Sequence, residues 1–435
     1  MNVLVPSPQI GTKFKSLVIK SNFYRRIRKN GRFYKFLKKL NRYFLRSKKT
    51  PLELLFGYDL IKPTELVTIY CDVAGIRGVP FIDGTRRVGN YFIEHLSQLQ
   101  NSKFRIEFVE WDGKTFVGVN NHKESNIIHP RRRIEWNPKK SDFLFLQTME
   151  AVARIRESKV NELNEKIKIV TLIHDILPIN EPKWFTKEMV EDFEENLKFA
   201  LLNSTLLVVS SKTVENDLRA IPLLKNLEIT LPRVERVDIS SVFKNFNPSE
   251  KISKHKKLGE AVVILLISTI EPRKGYDELV DAASQALTQG VNLKFIIVGR
   301  LGWVSDSFYS KFVKFSETFA NNVLWLKNCS DAMLVSLMPT VDIFLSPTRG
   351  EGFGIPIAEA LNAGVPTLAR DLPVYRELYD PYVAFYGPDN DFPDLYSALI
   401  HIEKIQEIAS TKVLSFPPTD CQASINSLIE VFSTN

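Results

Sequence analysis

Three cysteines are spread over 435 residues: Cys71, Cys329 and Cys421. So few, odd in number and far apart, they exclude a disulfide framework and point to a reducing compartment. Six scattered histidines and no paired cysteines leave no metal-ligand spacing of the zinc type. No apolar run reaches the roughly 18 residues that a membrane helix needs. The N-terminus lacks the apolar core and small-residue cleavage site of a signal peptide, which predicts a cytoplasmic protein. The loop after the first candidate strand is not G-x-G-x-x-G, so the nicotinamide-dinucleotide fingerprint is excluded. The sharpest shortage is acid. Residues 1–50 hold no Asp or Glu against fifteen Lys and Arg. The remaining chain carries 43 basic and 50 acidic side chains, so the formal charge of +8 belongs to one arm.

That arm contains "GRFYKFLKKLNRYFLRSKK". On a helical wheel Phe33, Phe36, Leu37, Leu40, Tyr43 and Phe44 fall on one side, and Arg32, Lys35, Lys38, Lys39, Arg42 and Arg46 on the other. A basic amphipathic helix bearing aromatics suits an anionic membrane surface, contacted through residues 20–50. The competing readings are a helix packed on the protein's own core and, last, an RNA-binding arm; no nucleic-acid partner is expected.

With 44% hydrophobic and 25% charged residues the chain has globular composition and the length for two or more cores. From about residue 65 short apolar runs alternate with helical patterns. "LVTIYCDV" (66–73), "FRIEFVEW" (104–111), "DFLFLQ" (142–147), "IKIVTLI" (167–173) and "TLLVVS" (205–210) read as strands. The rhythm breaks in the polar stretch 232–260 and resumes at "AVVILLIS" (261–268), "LKFIIVG" (293–299), "NVLWL" (322–326), "VDIFLS" (341–346) and "VPTLA" (365–369). Continuous apolar strands separated by helices predict parallel sheets covered on both faces. The expected fold is α/β, two Rossmann-like domains facing across a cleft. The expected layout is an arm at 1–60, an N-terminal domain at 61–235, a linker at 236–260, a second domain at 261–390, and C-terminal helices at 391–435 that cross back to the first domain or stay with the second.

In such sheets ligands bind beyond the carboxyl ends of the strands. "RGEGFGIPIAEALNAGVP" (349–366) follows the strand at 341–346. Glu351 falls in the loop; Pro356 suits the first turn of a helix over 355–363, and Gly364 and Pro366 end it. Glu359 sits in the second turn and leans back toward the helix start, so both carboxylates face one crevice. Gly352 and Gly354 let backbone approach a ligand, and the free N–H groups of the helix start favour an anion. Phosphates in the middle and hydroxyls at both ends describe a nucleotide sugar. The bland alternative is a tight turn with two solvated glutamates.

Arg273 and Lys274, in "PRKG", follow the strand 261–268 and suit a diphosphate; surface charge is the alternative. His174, followed by Asp175, ends the run "IVTLI" and faces the crevice or serves as a satisfied structural histidine. Gly84, Arg86 and Arg87 open the helix 86–99, where Arg87 is a candidate for an acceptor phosphate or plain helix-start charge. Asp389 and Asp391 in "PDND" read as solvated loop residues.

"EGFGIPIAEALNAGVP" closely resembles the signature of family 4 glycosyltransferases, which retain anomeric configuration and have the GT-B fold. "LISTIEPRKGYDELVDA", "FIIVGRLGW", "VLWLKNCSDAMLVSLMPTVDIFLSPTRGEGFG" and "VPTLARDLPVYREL" also follow that family's pattern. "VTLIHDILPINEP" and "GTRRVGNYFIEHL" match more loosely. The likeness spans about residues 66–380. It implies that Arg273 and Lys274 stabilise the departing nucleoside diphosphate and that Glu359 binds ribose hydroxyls. It further implies that Glu351 orients the transferred sugar, with Gly352, Phe353 and Gly354 completing the donor site. His174 would face the donor sugar, and Gly84 and Arg87 the acceptor. Catalytic roles accordingly fall to Glu351, His174, Arg273 and Lys274.

The expected activity is sugar transfer from a nucleotide sugar to a glycan or a polyprenyl- or lipid-linked acceptor at the inner face of the membrane, in cell-surface polysaccharide assembly. GDP-mannose is the first donor candidate, with UDP- and dTDP-sugars open; no cofactor or metal is required. The alternatives are a non-catalytic nucleotide-sugar-binding subunit and a GT-B epimerase or phosphorylase.

Overall fold

The computed structural model describes residues 67–73, 76, 84–98, 104–119, 136–157, 163–226, 228, 230–237, 261–417 and 430–432. The basic arm and residues 238–260 of the expected linker lie outside the described residues.

The first half forms a seven-stranded sheet. Its strands are β1 (Val67–Asp72), β2 (Phe104–Trp111), β3 (Phe116–Gly118), β4 (Phe143–Leu146), β5 (Lys168–Ile173), β6 (Leu206–Val209) and β7 (Arg233–Arg236). Among the helices between them are α1 (Gly84–Gln98), α2 (Met149–Glu157), α3 (Lys187–Asn203) and α4 (Lys212–Ala220). The strand order is β3-β2-β1-β4-β5-β6-β7, parallel apart from the β2–β3 pair. β4 and β6 are buried along their whole length, as a central parallel strand covered on both faces must be.

The second half forms a six-stranded parallel sheet from β8 (Val262–Ile267), β9 (Leu293–Val298), β10 (Val323–Leu326), β11 (Ile343–Ser346), β12 (Thr367–Arg370) and β13 (Ala384–Tyr386), in the order β10-β9-β8-β11-β12-β13. Its helices of seven or more residues are α5 (Tyr276–Thr288), α6 (Asp306–Thr318), α7 (Asp331–Leu337), α8 (Ile355–Asn362), α9 (Pro373–Tyr379) and α10 (Ile402–Val413). Both sheets have the doubly wound arrangement, with the chain order reversing between β1 and β4 and between β8 and β11.

Two details depart from the sequence pattern. β7 occupies 233–236, inside the polar stretch expected to be linker, and pairs along β6. It is an edge strand with alternating charge, "RVER", so it lacks the apolar run that marks a buried strand. β3 is a short antiparallel return. Asp112 accepts from the amides of Lys114 and Thr115 at 2.9 Å each and so closes the turn that folds Phe116–Gly118 back on β2. Helix Leu395–Ile400 packs on α5, and α10 covers β12 and β13. The turn at 430–432 lies on the first sheet, where the Phe432 ring stands 5.3 Å from Phe143 and 5.8 Å from Phe145.

Candidate functional site

The segments leaving the carboxyl ends of the strands meet between the two sheets: Gln147 after β4, His174–Asp175 after β5, Ser210–Ser211 after β6, Ser268–Lys274 after β8, and Pro347–Gly354 after β11. A two-sided crevice at the switch points follows from the topology.

The β11–α8 turn is stitched to both domains. A Cβ placed on Gly352 would stand 1.8 Å from the His174 carbonyl oxygen, so only glycine admits this approach. The Gly352 carbonyl accepts from Ser211 Oγ at 2.9 Å and from Ser210 Oγ at 3.4 Å. Gly354 precedes α8 at φ 84°, against the Tyr375 ring, and its carbonyl accepts from the Tyr379 hydroxyl at 3.2 Å. On the other side, the Arg349 amide and the Thr348 hydroxyl both donate to the Arg273 carbonyl, at 2.8 and 3.1 Å. The loops after β8 and β11 therefore behave as one unit. Phe353 is buried and packs edge-on against Tyr379 at 6.0 Å. Its side chain anchors the turn in the core, which leaves its backbone to face the crevice.

The charged centre brings together two cations and three carboxylates. Lys274 Nζ pairs with Glu351 Oε1. Arg273 Nη1 lies 3.4 Å from Glu351 Oε2 and 3.9 Å from Asp175 Oδ2, and its Nε donates to Glu271 Oε1 at 2.5 Å. Burial works to raise the Glu351 pKa, but Lys274 and then Arg273 overcome it, and the carboxyl is held below its ordinary value. Burial likewise works to lower that of Arg273, and Glu351, Glu271 and Asp175 raise it instead. Both groups stay charged across the physiological range. Burial, followed by the Glu351 charge, pushes the Tyr375 phenol well up, so the tyrosine beneath the turn stays neutral.

Glu359, in the second turn of α8, is buried and pairs with Arg87 Nη1 from α1, across the domain boundary. Gly84 opens α1 against the start of α8: a Cβ there would come 3.3 Å from Ile355 Cδ1. His174 Nε2 lies 3.0 Å from the Gln147 carbonyl oxygen, so its ring is oriented by the β4 end, and its own carbonyl packs on Gly352. Arg273, Lys274, Glu351 and His174 thus lie around one turn, while Glu359, Arg87 and Gly84 form a second group along α8.

The sequence reading missed several neighbours. Glu271 resembled any surface glutamate before a proline, yet it is buried. Trp184 leans on Gly350, where an added Cβ would meet its ring at 2.8 Å, and its carbonyl accepts from Trp303 Nε1 at 2.9 Å. Glu377 on α9 caps α4, accepting from the amides of Lys212 and Thr213 at 2.6 and 2.8 Å and from Thr213 Oγ1 at 2.7 Å. Backbone-directed contacts of this kind leave no spacing signal in sequence. Cys71 is buried and its thiol is pushed up, by burial first and then by Asp72, so it is no nucleophile. Among the described residues no group of three or more His, Cys, Asp and Glu could hold a metal ion, and no helix is long and apolar enough to cross a membrane.

Two doubly wound domains with a glycine-rich anion turn and paired cations at their facing switch points define a GT-B fold. Known proteins agree. Residues 248–410 match the family model described as Glycosyl transferases group 1. The Escherichia coli serotype-specific mannosyltransferase WbdA is 26% identical over 225 residues, covering 50% of this chain and 27% of that protein. A Mycobacterium tuberculosis phosphatidyl-myo-inositol mannosyltransferase is 30% identical over 166 residues, covering 38% of this chain and 41% of its own length. The matched stretch is therefore less than half of either curated relative. Among solved structures, sucrose-phosphate synthase from Thermosynechococcus elongatus superposes with a TM-score of 0.59 at 12% identity, over 85% of this chain and 98% of that one. Anabaena HepE in complex with UDP and glucose gives 0.56 at 16% identity, over 85% and 100%. At these identities the structures speak for the fold. The resemblance to family 4 glycosyltransferases read from the sequence holds.

Proposed function

We propose that the protein is a retaining glycosyltransferase that takes a sugar from a nucleotide sugar and passes it to a glycan or lipid-linked acceptor. The observation that carries this reading is the cation pair Arg273–Lys274, held by the backbone of the β11–α8 turn and faced by Glu351. A diphosphate entering there takes over the cations and frees Glu351 to accept from hydroxyls of the transferred sugar. In the second turn of α8, Glu359 exchanges Arg87 for the ribose hydroxyls. Arg87, once released, faces the acceptor side.

In the transfer step the bond from the sugar's anomeric carbon to the diphosphate oxygen breaks, and both electrons leave with the diphosphate. The acceptor hydroxyl adds to that carbon on the same face and gives its proton to the departing oxygen. Arg273 and Lys274 stabilise the charge as it grows, which is where fixed cations lower a barrier. His174, oriented through the Gln147 carbonyl, lies on the sugar side. The mannosyltransferase relatives favour GDP-mannose as the donor to test first. No metal or cofactor is required in this scheme. The protein would work at the inner face of the membrane in polysaccharide assembly, held there by its basic arm.

The test is a thermal-shift panel of GDP-, UDP- and dTDP-sugars followed by product analysis with the donor that binds. Binding at a hundred times Kd should stabilise the protein by about 2.7 kcal/mol, a rise readily seen in Tm. A donor that binds but is consumed only when an acceptor glycan is added, with the anomeric configuration kept, is the expected result. A changed sugar released without acceptor would indicate an epimerase, and binding without turnover a non-catalytic subunit.

A further inference from the structure

Glu271 has no part in the transfer scheme, yet it is the most deeply sealed charge of the centre. Its side chain is 3% exposed, against 14% for Glu351 and 24% for Asp175. The loop after β9 closes over it. The Ile270 amide donates to the Arg300 carbonyl and the Gly302 amide to the Ile270 carbonyl, both at 2.9 Å, and a Cβ on Gly302 would stand 3.4 Å from Glu271 Cβ. Of the three carboxylates around Arg273, Glu351 and Asp175 reach solvent and Glu271 is sealed. It occupies the Nε edge of the guanidinium and leaves Nη1 directed at Glu351 and Asp175. A fixed negative charge beside a diphosphate also opposes that diphosphate by like-charge repulsion.

We propose that Glu271 is a positioning residue with two separable effects, resting on the nucleotide-sugar reading above. Its oxygen locks the Arg273 guanidinium in the orientation that meets the diphosphate. Its charge weakens the grip on the nucleoside diphosphate and so speeds product release.

The two effects have opposite signs in two variants. Glu271→Gln keeps an oxygen acceptor for Nε and removes the charge; Glu271→Ala removes both. Titration calorimetry with GDP and UDP, on the full chain, is the measurement. Glu271→Gln should bind the nucleoside diphosphate about tenfold tighter, with a lower donor KM and a lower kcat. Glu271→Ala should bind about tenfold more weakly. In an Arg273→Ala background the difference between the two variants should largely vanish, because the orienting effect acts through Arg273.

Variants that bind like the parent overturn the proposal, as do effects of equal size and sign that persist without Arg273. If Glu271→Ala does not fold, Glu271→Gln decides alone: tighter binding supports the proposal, and unchanged or weaker binding overturns it. A parent protein that binds neither nucleotide overturns the nucleotide-sugar reading and this inference with it. Loss of only the difference between variants overturns this inference and leaves that reading standing.

Discussion

Burial alone would raise the Glu351 pKa, yet Lys274 and Arg273 hold it below the ordinary glutamate value of about 4.5. A carboxyl depressed by folding contributes stability that is complete above its unfolded value and is lost as pH falls through the folded one. Asp371, depressed chiefly by its hydrogen bonds from Arg376, acts in the same direction. Stability should therefore be flat from neutral pH down to about 5 and fall below about 4.5. Denaturant midpoints across that range check it, and Glu351→Gln should flatten the acid limb. In the second turn of α8, Glu359→Ala should weaken nucleoside diphosphate binding by about tenfold or more, the usual worth of a hydrogen bond to a charged group. Calorimetry showing equal affinity in both forms would remove the ribose assignment. Arg273, Lys274, Glu351 and Glu359 could be picked out of the sequence because each follows an apolar run at a fixed offset. The burial of Glu271 and Phe353 could not be read, since burial of a loop side chain depends on which remote segment covers it.

At the scale of elements, the central strands and the edge strand β10 were legible, and the edges β3, β7 and β13 were not. "VVILLI" and "FLFL" announce themselves as apolar runs. β7 and β13 are four and three residues long and take their strand character from a neighbour's unpaired backbone. The start of α8 makes a sharper demand. Gly354 sits at φ 84°, and a Cβ there would lie 2.4 Å from Tyr375 Cε1. Gly354→Ala combines a left-handed residue with overpacking, each costing about 1–3 kcal/mol. The variant should melt several degrees lower and lose donor affinity, because the turn that carries Glu351 shifts with it. A Tm equal to the parent's would show that the turn relaxes freely.

At the scale of the whole molecule, two domains were legible from the interrupted rhythm of strands and helices, because each sheet repeats one pattern and the polar stretch between them does not. What the pattern could not supply was how the halves meet, since those contacts join residues remote in sequence, through carbonyls and amides as well as the Arg87–Glu359 and Arg273–Asp175 pairs. The basic arm sets a further expectation for the full chain. Removing residues 1–50 takes away fifteen cations and should free the protein from anionic vesicles while donor turnover persists. Sedimentation with vesicles is the check, and unchanged co-sedimentation would assign membrane attachment elsewhere.

The Glu377 cap on α4 has a consequence for behaviour in solution. One exposed side chain fastens the second domain to the first helix turn of its neighbour, and charge attraction at a wet surface fades within a Debye length, about 8 Å at physiological ionic strength. Concentrated electrolyte should therefore slacken this outer clasp and loosen how the halves meet, while the buried contacts of Arg273 with Asp175 and of Glu359 with Arg87 still tie them together. Enzyme assayed in brine would then suffer in its apparent hunger for substrate before it suffered in its speed.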